Sequence, residues 1–107
     1  MIDLILREGF PGSEELRSQI DKARVVSSWG SGSVSVDLEV ASGVSRSTFS
    51  SGVVPVSCVV TDDDGELFGE ILVWVTSGML SGVEYAWYGD ESPTAFPRVG
   101  QLNISPS

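Results

Sequence analysis

The sequence predicts an α+β two-layer sandwich, with one or two N-terminal helices packed on a four-stranded antiparallel sheet. Three observations carry this expectation. In the run 33–40, Val34, Val36, Leu38 and Val40 alternate without a fault with Ser33, Ser35, Asp37 and Glu39, the period of a strand with one face buried and one in water. The dipeptide Asp64-Gly65 lies between two β-branched runs, which is hairpin-turn composition. Upstream, Leu16, Ile20 and Ala23 recur at i, i+4 and i+7 behind Ser13-Glu14-Glu15, the pattern of an amphipathic helix with a capped, acidic first turn. A chain of 107 residues that is 41% hydrophobic forms one domain with its own core.

Residues 2–8 place Ile2, Ile5 and Leu6 at helical spacing, and the run is short enough to read almost as well as a strand. Phe10-Pro11-Gly12 then breaks the chain, Ser13 offers an N-cap hydroxyl, and the second helix is expected to run to about Arg24. Gly and Ser around Trp29 mark a turn over 28–33. After the strand 34–40, residues 42–52 read as a loop long enough to be mobile, with Val44 and Phe49 among Ser, Gly and Thr.

A two-residue turn at Asp64-Gly65 would set Asp63 opposite Glu66 and give Val54, Val56, Cys58 and Val60 one face in common with Ile71, Val73 and Val75. That β-branched face belongs against the helix. Ser77-Gly78 forms the second hairpin and opens the last strand, 79–88. Strict alternation from that turn would send Leu80, Glu84 and Ala86 inward and Val83, Tyr85 and Trp87 outward. A bulge at Ser81-Gly82 would instead return Val83, Tyr85 and Trp87 to the core face and put Glu84 with Glu70 and Trp74 on the open one. The tail from Asp90 holds Pro93, Pro97 and Pro106 and is extended or looped, with Phe96 and Leu102 as anchors.

Six basic residues against fifteen acidic ones give a net charge of −9. Between Arg46 and Arg98 there is no Lys or Arg, while Asp62, Asp63, Asp64, Glu66, Glu70, Glu84, Asp90 and Glu91 all fall inside that gap. The balance counts against nucleic acid and anionic membrane as direct partners, since both call for a basic footprint, and leaves a basic protein as the partner to expect. A single cysteine, Cys58, allows no internal disulfide. The first residues lack the basic region and long apolar core of a signal peptide, and no apolar run approaches the length of a membrane span. The cytoplasm is the expected compartment.

With no histidine, the Ser-His-Asp and Cys-His arrangements and the usual zinc ligand sets are absent. Cys58 sits in an apolar run and reads as an inert packing residue. An EF-hand with Gly65 at its sixth position would call on Val60 and Ile71 for oxygen ligands, which neither can supply, so the run 62–65 reads as a solvated turn and no metal site is assigned. Carboxylates at alternate strand positions, Asp37 with Glu39 or Glu70 with Glu84, could divide acid and base roles, but such residues ordinarily form a solvated face. No Gly-rich phosphate loop precedes a helix. No catalytic residue and no cofactor are assigned.

The open face is left. On the two-residue register it carries Phe68, Leu72 and Trp74 beside Glu70, with Glu84 if the bulge forms, and these five residues are the candidate partner-binding surface: a desolvated Trp anchors while carboxylates steer a basic partner. The competing expectation is that the 42–52 loop or the Pro-rich tail covers these aromatics.

The spacing of Phe10-Pro11-Gly12, Leu16, Gln19, Pro55-Val56, Asp64-Gly65-Glu66, Gly78, Leu80, Glu84, Pro97 and Leu102 resembles a scattered family of small single-domain proteins of unassigned function, common in actinobacteria. The shared positions are turns and core residues, so the resemblance implies a fold and no catalytic group. In acidity and size the chain is also similar to bacterial immunity proteins, which neutralise basic toxin domains. The expected function is a non-enzymatic acidic interaction module of that kind. The alternatives are a small-molecule or metal-ion binding domain, using the sandwich interior or the 62–66 turn, and a housekeeping domain whose acidity serves solubility.

Overall fold

The computed structural model describes residues 1–107 and has the predicted α+β character with a larger sheet. Helix α1 (Ile2–Leu6) and helix α2 (Ser13–Gln19) precede seven strands: β1 (Ala23–Ser28), β2 (Val36–Val40), β3 (Gly52–Val53), β4 (Val56–Thr61), β5 (Leu67–Thr76), β6 (Met79–Trp87) and β7 (Leu102–Pro106). The strands are ordered β1-β2-β6-β5-β4-β7, and β3 pairs with β5 ahead of β4. Every pairing is antiparallel.

Three of those strands lie outside the four-stranded expectation. Residues 23–28, partly assigned to the second helix, form β1 instead: the α-helix stops at Gln19, a 3₁₀ turn covers Ile20–Lys22, and Arg24 and Val25 pair with Glu39 and Leu38. Two adjacent β-branched residues, Val25 and Val26, fit a pleated edge better than a helix. β3 is the start of the β4 run, set apart by Pro55, which has no N–H to give to the ladder. The tail ends in β7, which pairs Leu102, Ile104 and Pro106 with Val60, Cys58 and Val56, and its proline lies on an edge strand, where the missing donor is tolerated.

Helix α2 is capped by Gly12 rather than Ser13: Gly12 takes φ +95°, while the Ser13 hydroxyl accepts the Phe10 N–H at 3.3 Å from the first helical position. One face of the sheet packs on both helices. Its core holds Ile5, Leu6 and Leu16 from the helices, Val40, Val56, Cys58, Val60, Ile71, Val73, Val75, Leu80, Val83 and Tyr85 from the strands, and Val54 from between β3 and β4. Each such side chain contributes about 1.5–3 kcal/mol when fully buried.

Two irregularities decide what faces the core. The first hairpin has three loop residues, Asp63, Asp64 and Gly65, because Asp62 N–H donates to the Glu66 carbonyl at 2.9 Å and Gly65 takes φ +80°. An odd extra residue should reverse the faces of β5, but the ladder steps from Thr61↔Leu67 to Val60↔Gly69, so Phe68 is a bulge and Val59 again faces Glu70. The two-residue register is therefore recovered beyond Gly69 and fails before it. At the second hairpin, Ser77 and Gly78 have φ +52° and +77°, the paired positive values of a type I′ turn. The bulge expected at Ser81-Gly82 is present: Trp74 faces Gly82, Val75 faces Leu80, and Ser81 is extra. Val83 and Tyr85 are buried in consequence, while Trp87, expected with them, is 42% exposed where the strand ends.

The 42–52 loop, expected to be mobile, is tied to the hairpin tip. Ser47 N–H donates to the Gly78 carbonyl at 2.9 Å, Gly78 N–H to the Ser50 carbonyl at 2.7 Å, and Arg46 Nη1 to the Ser77 carbonyl at 2.8 Å. Ser47 Oγ donates to the Gly12 carbonyl at 2.7 Å, and Phe49 meets Phe10 edge to face at 5.8 Å. A Cβ on Gly78 would come within 2.8 Å of the Ser47 carbonyl oxygen and 3.0 Å of Arg46 Cβ, whereas one on Gly43, also at positive φ, would meet nothing within 4 Å. Both Gly→Ala changes carry the left-handed cost of about 1–2 kcal/mol, and only the first also displaces the loop. Gly78→Ala is thus expected to lower unfolding free energy in urea by at least about 1 kcal/mol more than Gly43→Ala; equal losses would show that the loop yields freely.

Candidate functional site

The open face is organised by β5 and β6. Glu70, Leu72 and Trp74 alternate along β5, each half-buried, and stand opposite Ala86, Glu84 and Gly82. The β6 bulge sets this phase, bringing Glu84 to the same face as Trp74. Trp74 Nε1 donates to Glu84 Oε1 at 3.0 Å. That charge-assisted bond fixes the indole on the sheet while leaving the second carboxylate oxygen free.

Four of the five predicted site residues, Glu70, Leu72, Trp74 and Glu84, are thereby brought together. Phe68 is not among them, and its place on the open face is corrected. As the bulge residue it turns to the core side, packs against the core cluster and meets Tyr85 edge to face at 5.9 Å. Gly69, beside it, is buried, and a Cβ there would collide with the Ala86 carbonyl.

Two further residues join the face. Trp29, in the turn between β1 and β2, lies across Gly82: a Cβ on that glycine would be 3.9 Å from Trp29 Cζ2 and 3.7 Å from Trp74 Cβ. Asp37 pairs with Gly82 from β2 and accepts the Ser27 hydroxyl at 2.7 Å. Trp29, Asp37, Trp74, Thr76, Ser81 and Gly82 line a cleft of ≈ 330 Å³, and the other side of Trp29 walls a second cleft with Glu84, Ala86 and Trp87. Gly82 was the only sequence signal for this arrangement, since a glycine inside a strand marks a bulge or a close approach. Nothing local predicts that a turn tryptophan folds back over it.

Neither segment expected to cover the aromatics is anchored here. Phe49 of the loop packs on Phe10, and Phe96 of the tail stacks on Tyr85 at 6.1 Å with an interplanar angle of 13°, both on the core side. The protein's ion pairs join Arg7 and Arg17 to Asp3, Arg24 to Glu39 and Arg98 to Asp63. Glu70, Glu84 and Asp37 have no cationic partner, so the face keeps its negative field. Glu70 borders neither cleft, and the two strand carboxylates share no enclosed space.

No three His, Cys, Asp or Glu side chains converge as a metal site, and no helix is long and apolar enough to cross a membrane. The chain matches no family model, no curated protein and no solved structure.

Cys58 is 1% exposed. Burial pushes its thiol from the ordinary 9.0 up to about 11, against a smaller opposing effect of a hydrogen bond with the Ile71 backbone. The thiolate is the nucleophile, so the folded thiol should resist disulfide reagents at pH 8 and react fully only in denaturant. In the unfolded chain it ionises near pH 9. Its contribution to stability is therefore intact below that pH and falls as pH rises toward about 11, by about 2–3 kcal/mol. Denaturation midpoints at pH 8 and 10.5 check this: the wild type should lose more stability than Cys58→Val over that interval.

Proposed function

We propose that this protein is a non-enzymatic interaction module that binds a more basic protein through the open face of its sheet, in the manner of an immunity protein holding a basic toxin domain in the cytoplasm. The observation that carries this reading is the pairing of half-exposed tryptophans with unpaired carboxylates. Trp29 is 46% exposed and Trp74 is half-buried, and the acidic groups around them, Asp37, Glu70 and Glu84, have no cation of the protein's own.

Aromatic side chains held in place lose little entropy on binding and supply most of the energy of small interfaces. Carboxylates around them accelerate encounter with a positive surface and disfavour acidic competitors. The Trp74–Glu84 hydrogen bond serves both ends, because it preorganises the anchor and keeps the charge beside it. A Lys or Arg of the partner could reach the free Glu84 oxygen without displacing the indole. Absence of histidine and of a cleft shared by Glu70 and Glu84 supports a binding role over catalysis.

Affinity capture at low ionic strength, followed by titration of the purified partner, tests this. Trp74→Ala is expected to weaken binding by about tenfold or more, Glu84→Gln mainly to slow association, and raising salt to about 0.15 M to weaken the wild-type complex. A partner held equally well by Trp74→Ala, or indifferent to salt, would contradict the assignment of this face.

A further inference from the structure

A separate pocket of ≈ 250 Å³ lies on the core side of the sheet, between the 62–66 turn and the tail segment 93–97. Its apolar wall is built around three rings, with Pro93, Ala95 and Pro97 beside them. Tyr85 lies between Phe68, edge to face at 5.9 Å, and Phe96, stacked at 6.1 Å. The β5 bulge creates the wall, since Phe68 on the expected register would face the other side of the sheet.

Asp62 and Asp63 form the polar rim. Asp62 Oδ1 accepts the N–H groups of Asp64 and Glu66 at 2.9 and 3.0 Å, which fixes the carboxylate and leaves its other oxygen free. The Tyr85 hydroxyl makes no hydrogen bond within the protein and is the part of this otherwise buried residue that reaches solvent. Gln101, also in the lining, is committed, with Oε1 accepting Arg98 N–H and Nε2 donating to the Thr61 carbonyl. The nearest cation is Arg98, bound to Asp63 Oδ1 at 2.6 Å.

This combination selects among ligands. Two carboxylates oppose an anion. A hard metal ion wants a cage of about six oxygen ligands, and no three acidic side chains converge here to begin one. A neutral apolar group would use the rings and leave the fixed Asp62 carboxylate at the rim without a counter-charge. A cation with an apolar skin satisfies both walls, because aromatic faces attract positive charge and alkyl groups bury against them.

We propose that the pocket binds an alkylated ammonium group, with its methyls against the half-buried Phe68 and Phe96 rings that Tyr85 holds in place and its charge facing Asp62 and Asp63. Arg98 stands in for that cation at Asp63 and competes with it. The ligand could be a free quaternary amine or a methylated lysine side chain, which share this chemistry. The proposal is independent of the open face and of any partner bound there.

Titration of the full chain, followed by amide chemical shifts, tests it with choline and with its neutral carbon isostere, 3,3-dimethylbutan-1-ol. Choline should give saturable shifts around Asp63, Phe68 and Phe96, and the isostere should bind at least about tenfold more weakly. A trimethyllysine peptide and its unmodified form make the second arm: tighter binding of the methylated peptide than of choline assigns the protein source, and the reverse assigns the free amine. Phe96→Leu should weaken binding about tenfold, and the exposed Asp63→Asn several-fold with unchanged thermal stability. Arg98→Gln should strengthen it. Absence of saturable shifts with both choline and the methylated peptide, or equal binding of the isostere, would overturn the proposal.

Discussion

The side-chain amide of Gln19 is fully buried, and three of its four hydrogen-bonding positions are in use. Nε2 donates to the Ser45 carbonyl at 3.0 Å and the Gly78 carbonyl at 2.9 Å, and Oε1 accepts the Leu80 N–H at 2.9 Å. Gln19 and these partners belong to three segments, which the amide joins at one point: the last turn of α2, the 42–52 loop and the tip of the β5–β6 hairpin. Helices of five and seven residues cannot hold themselves together in water, since nucleation is unfavourable and few propagating bonds repay it. Leu16 supplies the apolar contact, and the Gln19 amide supplies the position. The helix ends at the same residue. Beyond Gln19 the chain tightens into a 3₁₀ turn and leaves as β1.

Fixing the hairpin tip matters because the phase of β6 is decided there. From the Ser77-Gly78 turn, Leu80 enters the core, its N–H bound to Gln19, and the extra residue Ser81 then shifts the alternation. Everything distinctive about the open face follows from that shift, including the Glu84–Trp74 bond and the flat floor at Gly82 on which Trp29 rests. The bulge at Phe68 does the corresponding work on β5. It cancels the extra loop residue at Asp63 and sends one aromatic ring to the core side, where it walls a pocket with Tyr85 and Phe96. Two bulges thus partition the aromatics of one hairpin between two surfaces of different character.

Much of this was legible in the residues. Strict alternation located β2, the β-branched runs located β4 and β5, and the conflict between Glu84 and its predicted inward position revealed the β6 bulge. Four of the five site residues followed from that register. Phe68 was misplaced because a loop residue and a bulge residue cancel in the pattern beyond them, so the apolar set of β5 looks the same for a two-residue turn as for the turn that forms. The helix end was misplaced because Ala23 continues the helical stripe, whereas β1 depends on pairing with β2, which lies across the turn that holds Trp29. β7 shows weak alternation and two prolines nearby, and pairing with β4 is what makes it a strand. Gln19 stands out in the sequence only as one position of the resemblance, and nothing local gives its amide a role, because a buried amide is recognisable only by partners 26 to 61 residues distant. Long-range polar satisfaction leaves no local trace, and here it holds the fold's most constrained point.

Native-state hydrogen exchange on Gln19→Leu tests this account most directly. The substitution keeps the helix former and the bulk but leaves the Leu80 N–H and the Ser45 carbonyl without partners, at a cost of about 3 kcal/mol or more, a large share of a small domain's stability. The account predicts that the amides of Ser47, Gly78 and Leu80 lose protection together, with the loop and the hairpin tip opening as one unit. If Leu80 alone exchanges faster while Ser47 and Gly78 stay protected, Gln19 is an ordinary buried side chain and the claim that it joins the three segments is wrong.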